Sequence, residues 1–218
     1  RDDLVTGVQT CALPIYIELL WSYIIQAGYL GAKKVRKYEV QITHDVDFIY
    51  RYDSLLKVFK SCLGDLLVRK NPFNIVNTIK DAFLSFVNKS NDPYNTFDYL
   101  MEVSEKYGLV SRFYFIPSMI GEFDSRYSIE SKDVKSIINK ISSKGHVVGL
   151  HGSWNGYNNS LVFKAEFERI SKIIDVKEGR QHYLKFENPT TWLNWEENDF
   201  KSDSTIGFYN RNGFRAGI

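Results

Sequence analysis

Cysteine is scarce in this chain: two in 218 residues, Cys11 and Cys62. They lack metal-ligand spacing and cannot build a disulfide framework, which excludes a cysteine zinc site and a disulfide-stapled scaffold. Long apolar runs are also missing; none reaches the roughly 20 residues of a membrane span. Charge imbalance is small, with 28 Lys and Arg against 26 Asp and Glu and a net of +2. That is too little to argue for a nucleic acid or an anionic membrane as partner. There is no internal repeat and no recognisable signal peptide.

What is present is an ordinary globular composition, 44% apolar and 25% charged, on a chain long enough for one sizeable core. Aromatics are abundant, with 14 Tyr and 15 Phe. Aromatic surfaces stack on sugar rings, but an aromatic core is the plainer explanation. The start of the chain stands apart. The run from Val5 through Cys11 to Ile15 resembles the translation of a widely used sequencing-library adapter. Residues 1–15 are therefore expected to be non-native and are kept out of the fold argument. Residues 16–37 read as a connector or the tail of an upstream domain, with a solvated basic cluster at 33–37. Residues 38–218 read as the main domain, C-terminally incomplete. No compartment follows from such a start; cytoplasm and cell envelope both stay open.

The main domain opens on the stretch Thr43-His44-Asp45-Val46-Asp47. The alternating residues 38–42 before it predict a strand. Side chains two apart on a strand share a face, so Asp45 and Asp47 point one way and His44 the other. Two adjacent carboxylates repel unless a cation or a shared proton relieves them. A metal site, an acid/base pair and a solvated acidic strand end are all open at this point.

Helical spacing predicts helices over 52–67 and 74–88, with their apolar rows packed against the domain. A turn at 90–93 leads to a helix capped by Asn95 or Thr96 and stopped by Gly108. Arg112–Ile116 reads as a strand, followed by a loop to Ile129. Ser131 caps a helix that ends near Ser143. His146–His151 is a short apolar strand of the buried, parallel kind. A helix over 161–176, a strand over 179–186, a short helix opened by the stretch from Pro189 to Trp192 and capped by Thr190 or Thr191, and a last strand over 204–209 complete the alternation. Strands alternating with helices predict an α/β class with a parallel sheet. Working residues in such a domain sit at the C-terminal strand ends, where Asp45, Asp47, His151, Arg180, His182 and Tyr183 lie. His146 begins its strand and belongs at the opposite end. Asp124, Arg126 and Tyr127 sit on a loop after a strand and are candidates for sugar contacts, with a local ion pair as the alternative. Trp154, Trp192 and Trp195 are candidates for stacking, Trp154 foremost because it follows His151 by three.

Two strand-end aspartates and a histidine from another strand suit a facial metal site with open positions. The cation would acidify a water, with a carboxylate beside it as base. At these residues the chain resembles the polysaccharide deacetylases, the superfamily with the NodB homology domain, over roughly residues 38–217. Thr43, Asp45 and Asp47 match the family's first motif. The stretch from Gly145 to His151 matches the opening of the second, and Arg180-Gln181-His182-Tyr183 the third. Asp203-Ser204-Thr205 resembles a further segment of some members. The resemblance implies a distorted parallel (β/α) barrel and hydrolysis of N-acetyl groups on a glycan or amino-sugar substrate. It implies Asp45 as catalytic base, Asp47 and His151 as ligands of a divalent metal, zinc by preference, and Arg180 as the residue that holds Asp45. It also implies that the backbone N–H of Tyr183 helps stabilise an oxyanion. Two departures stand out. Asn155 occupies the place of a second histidine ligand, so the third ligand is either Asn155 or His182. No histidine follows Tyr183, so the family's general acid is absent and an incomplete site is expected. A catalytically silent glycan-binding domain on the same fold is therefore the alternative.

Overall fold

Short strands of buried apolar residues alternate with amphipathic helices, and that alternation builds one parallel sheet. The structure, a computed structural model, describes residues 16–33, 40–118, 121, 123–208 and 210. Residues 1–15, most of the basic cluster, the first two residues of the expected first strand, Tyr209 and the stretch from 211 onward lie outside these. A helix over 16–26, α1, precedes the sheet. Then come β1 (Ile42–Val46), α2 (Leu55–Leu67), α3 (Phe73–Val87), α4 (Phe97–Lys106), β2 (Ser111–Phe115) and α5 (Lys132–Ser143). They are followed by β3 (Val147–Gly152), α6 (Ser160–Ser171), β4 (Glu178–Gln181), α7 (Thr190–Glu197) and β5 (Ser202–Asp203).

The strand order is β1-β2-β3-β4-β5, every pair parallel, so each strand lies beside its neighbour in sequence. The class is α/β with a five-stranded parallel sheet. All C-terminal strand ends lie along one edge, which is where such sheets place their sites. The sheet also curls. Strands about 4.8 Å apart put β1 and β4 some 14 Å from each other on a flat sheet. Arg180 on β4 nevertheless bonds Asp45 on β1 directly, at 3.1 Å.

The core lies between the sheet and the helices that cover it. Phe113 and Phe115 of β2 and Leu150 of β3 are fully buried against Ile138 and Ile141 of α5 and Met101 of α4. Each such side chain contributes about 1.5–3 kcal/mol relative to exposure. Close packing needs glycine at two places. A Cβ on Gly149 would strike the Glu178 carbonyl and the Tyr114 ring, and one on Gly179 would strike the Leu150 carbonyl and Trp195. Gly108 and Gly145 end α4 and α5 with φ of +65° and +80°, values that L-residues adopt at a cost. Ser131 caps α5 by accepting the Val134 N–H. Thr96 stands at the start of α4 but makes no side-chain cap.

Three expectations fail here. The strand expected over 179–186 stops at Gln181 and turns through a short 3₁₀ segment, His182–Leu184. The last strand is two residues, Ser202–Asp203, and residues 204–208 are not strand; the earlier segment wins because its backbone meets β4. The apolar rows of α2 and α3 do not pack on the domain: Leu56, Phe59, Phe73 and Phe83 are all exposed. What these helices bury is mostly polar or small, namely Asp65, Thr78, Ala82 and Ser85.

Candidate metal centre

Three ligand-type atoms converge at the C-terminal edge of the sheet. His151 is the penultimate residue of β3, and Asp47 directly follows β1. His182 follows β4, on a turn in which Tyr183 and Leu184 adopt φ of 56° and 53°. Two bulky residues in the left-handed region cost about 1 kcal/mol or more each. That turn swings His182 toward β3 instead of continuing the strand. His151 Nε2 lies 3.0 Å from His182 Nδ1, and each lies 3.6 Å from Asp47 Oδ1.

This triangle fits a cation. Ligands held about 2.0–2.1 Å from zinc in a tetrahedron stand roughly 3.3–3.4 Å apart, and the three edges bracket that value. Asp47 Oδ1 is buried and has no hydrogen-bond partner, a costly condition unless a cation meets it. The tautomer fits as well. His151 Nδ1–H donates to the Arg180 carbonyl at 2.8 Å, so Nε2 presents a bare lone pair to the triangle. Burial lowers the His151 pKa, and the charge of Asp45 opposes that shift. Asp47, His151 and His182 form the one such group found among the described residues. Asn155 is exposed on the loop after β3 and does not line the pocket that holds the triangle. Of the two candidates for third ligand, the geometry selects His182.

Asp45 sits beside the triangle, 3.9 Å from His151 Nε2, and is held from the other side. Arg180 Nη1 reaches both its oxygens at 3.1 and 3.3 Å, Nη2 donates to Thr43 Oγ1 at 2.8 Å, and Nε donates to Ser204 Oγ at 3.2 Å. The guanidinium is thus fixed at each nitrogen. Thr205 secures the same region by accepting the Gln181 N–H through Oγ1 at 2.9 Å and donating to Asp203. The segment 203–205 is therefore a clamp on β4.

A pocket of about 940 Å³ opens over this edge, lined by Asp45, Asp47, His151, Arg180 and His182. Its outer wall carries Phe48, Phe123, Arg126, Tyr183 and Phe208. Phe48, Phe123 and Phe208 are absent from the sequence expectations. They sit in loops with no periodicity, so nothing local marks them as pocket residues.

Several expected contacts are structural instead. Tyr127 is buried; its hydroxyl donates to the Val46 carbonyl at 2.7 Å and accepts the Ile116 N–H. Burial pushes that phenol far above its ordinary pKa. Asp124 lines the pocket, but it accepts Ser118 Oγ and the N–H groups of Gly121 and Trp154, so it ties two loops together. Trp154 is covered by the Lys185 ammonium 3.8 Å from its ring centre and by Phe123 at 4.6 Å. It props up Phe123 and Tyr183, which do face the pocket. Trp195 is core, packed on Phe163 and Phe200, and Trp192 packs on Phe186. His44 lies against Phe113 and Ser111, away from the site. His146, at the opposite end, accepts the Ser111 N–H and pairs with Glu105.

Glu166 of α6 lies under the loop that follows β3, where its Oε2 accepts the Ser153 N–H at 3.1 Å and Oε1 is buried without a partner. Burial raises its pKa from about 4.5 to about 7. The folded protein then keeps a proton that the unfolded chain releases, so this group's stabilising contribution falls as pH rises through that window and levels off above it. Glu166→Gln is expected to remove a slope worth up to about 3 kcal/mol. Melting temperatures at acid and alkaline pH measure it; equal slopes for parent and variant would refute it.

No protein-family model, no curated protein and no solved structure matches this chain.

Proposed function

We propose that this chain is a metal-dependent hydrolase of the polysaccharide deacetylase type, removing N-acetyl groups from a glycan on a (β/α)-barrel-like domain. One observation carries the reading: the buried, unpartnered Asp47 Oδ1 faces two histidine nitrogens, with an Arg-held carboxylate at its side. That arrangement separates two jobs that the paired aspartates left merged.

Asp47, His151 and His182 would hold a divalent cation, with zinc favoured by two imidazoles and one carboxylate. Bound there, the cation supplies Lewis acidity and brings the pKa of a water toward neutrality. Asp45 takes the proton from the attacking water as its oxygen adds to the acetamide carbon, and gives it to the departing nitrogen as the C–N bond breaks, releasing acetate and a free amine. Arg180 fixes the orientation of Asp45 through both carboxylate oxygens, and Thr43 and Ser204 fix Arg180 in turn. The Arg180 carbonyl orients His151, so one residue positions both base and ligand. Phe123 and Tyr183 offer apolar surface to a sugar ring. The test is acetate release from N-acetylglucosamine oligomers after loading with zinc. Metal-dependent release is the expected result. A zinc-loaded protein that binds the oligomers but releases no acetate would overturn hydrolysis in favour of a silent glycan binder.

A further inference from the structure

The helical hairpin of α2 and α3 is built inside out. Between its helices it buries polar and small groups: Thr78 Oγ1 donates to Asp65 at 2.8 Å, and Ser85 and Ala82 line the same face. At 100° per residue, Leu55, Leu56, Phe59, Leu63, Leu66 and Leu67 of α2 fall within about 120° of one another, on the face away from α3. All six are exposed. On α3 the residues Phe73, Val76, Ile79, Phe83 and Val87 form a second exposed stripe. The most exposed apolar side chains of the hairpin flank its tip, Val68 at 79% and Phe73 at 83%, with Arg69 and Lys70 between them. So large an outward apolar surface marks a contact site.

Charge identifies the partner. Residues 51–91 hold seven Lys and Arg against three Asp, a net of +4, while the whole chain is only +2. The remainder of the chain is therefore −2. The hairpin itself, residues 55–87, holds five Lys and Arg against two Asp; two hairpins of +3 repel each other, which disfavours a second copy on this face. An apolar stripe bordered by basic residues matches an anionic lipid surface. At about 20 and 23 Å the helices are too short to cross a hydrocarbon core of roughly 30 Å. They suit insertion at the interface.

The hairpin is also anchored to the domain. Buried Asp92, just beyond α3, accepts the N–H groups of Arg51 and Tyr52 and the hydroxyl of Ser85. It thereby ties the end of α3 to the loop that leaves Asp47. We propose that the α2–α3 hairpin docks the protein on membranes rich in anionic lipid. The proposal stands apart from the metal centre and survives if that centre proves inactive.

Vesicle flotation of the full chain tests it, with phosphatidylcholine alone and with about 30% phosphatidylglycerol, at about 0.1 and 0.5 M salt. The chain should float with the anionic vesicles only, and less at high salt. Val68→Glu/Phe73→Glu should weaken this at least about tenfold, with an unchanged melting temperature because both sites are exposed. Lys60→Glu/Lys80→Glu should abolish the preference for anionic lipid. Failure to float, or flotation untouched by the tip substitutions, would overturn the proposal. So would a dimer in ultracentrifugation that the tip substitutions dissociate while vesicles go unbound.

Discussion

Asp45→Asn is expected to lower N-acetyl hydrolysis by about 10²–10⁴-fold, the range for loss of a general base, while zinc affinity stays near that of the parent. The two halves follow from one geometry. An amide matches a carboxylate in shape, and its oxygen still accepts from Arg180, so the pocket keeps its form. It cannot take a proton from water. The metal triangle does not include Asp45, whose nearer oxygen stands 3.9 Å from His151 Nε2. Acetate release and zinc titration against a competing chelator are the two readouts. Parental turnover would end the assignment of Asp45 as base. A large loss of zinc affinity would instead make Asp45 a ligand.

His182→Ala is expected to weaken zinc binding by more than 100-fold, whereas Asn155→Ala should leave it unchanged. Loss of a partner that merely orients a ligand costs about 10–100-fold, and a direct ligand costs more. The contrast between the two variants carries the test, because the family resemblance points to position 155 and the geometry to 182. Melting temperatures of both apo variants control for unfolding, since His182 is buried and Asn155 exposed. Intact zinc affinity in His182→Ala would dissolve the triad. Weakened affinity in Asn155→Ala would put that side chain back among the ligands.

These substitutions also separate hydrolysis from binding. A silent glycan binder needs neither Asp45 as a base nor a lone pair on His182. In that case both variants would retain sugar affinity, and no activity would exist to be lost. The hairpin proposal is read on vesicles and is independent of either outcome.

Much of the sheet was legible in the chain. Strands such as β3 are short and nearly all apolar because both faces are covered, and Gly108, Ser131 and Gly145 punctuate their helices by local backbone chemistry. Alternation of period then fixed the class. The strand-end position of Asp45, Asp47 and His151 was legible for the same reason, since period two assigns faces without tertiary information. Tyr127 misled because a polar residue on a loop looks the same whether it faces substrate or satisfies buried backbone. Only the fold shows that the Tyr127 hydroxyl serves Val46 and Ile116, and that Asp124 serves Trp154.

The hairpin shows the limit most clearly. Apolar residues at helical spacing declare that one face avoids water, but not what covers it. Whole-chain charge concealed the matter further, because a basic hairpin and an acidic remainder nearly cancel. By itself the sequence determined the order of elements, the parallel sheet and the shared face of Asp45 and Asp47, all consequences of local periodicity. Tertiary structure alone decided that His182 completes the candidate metal triad, that Arg180 crosses from β4 to β1, and that α2 and α3 turn their apolar faces outward. Each of these depends on distances between residues far apart in the chain, and those distances are set by how the sheet curls and how the strand-end loops turn.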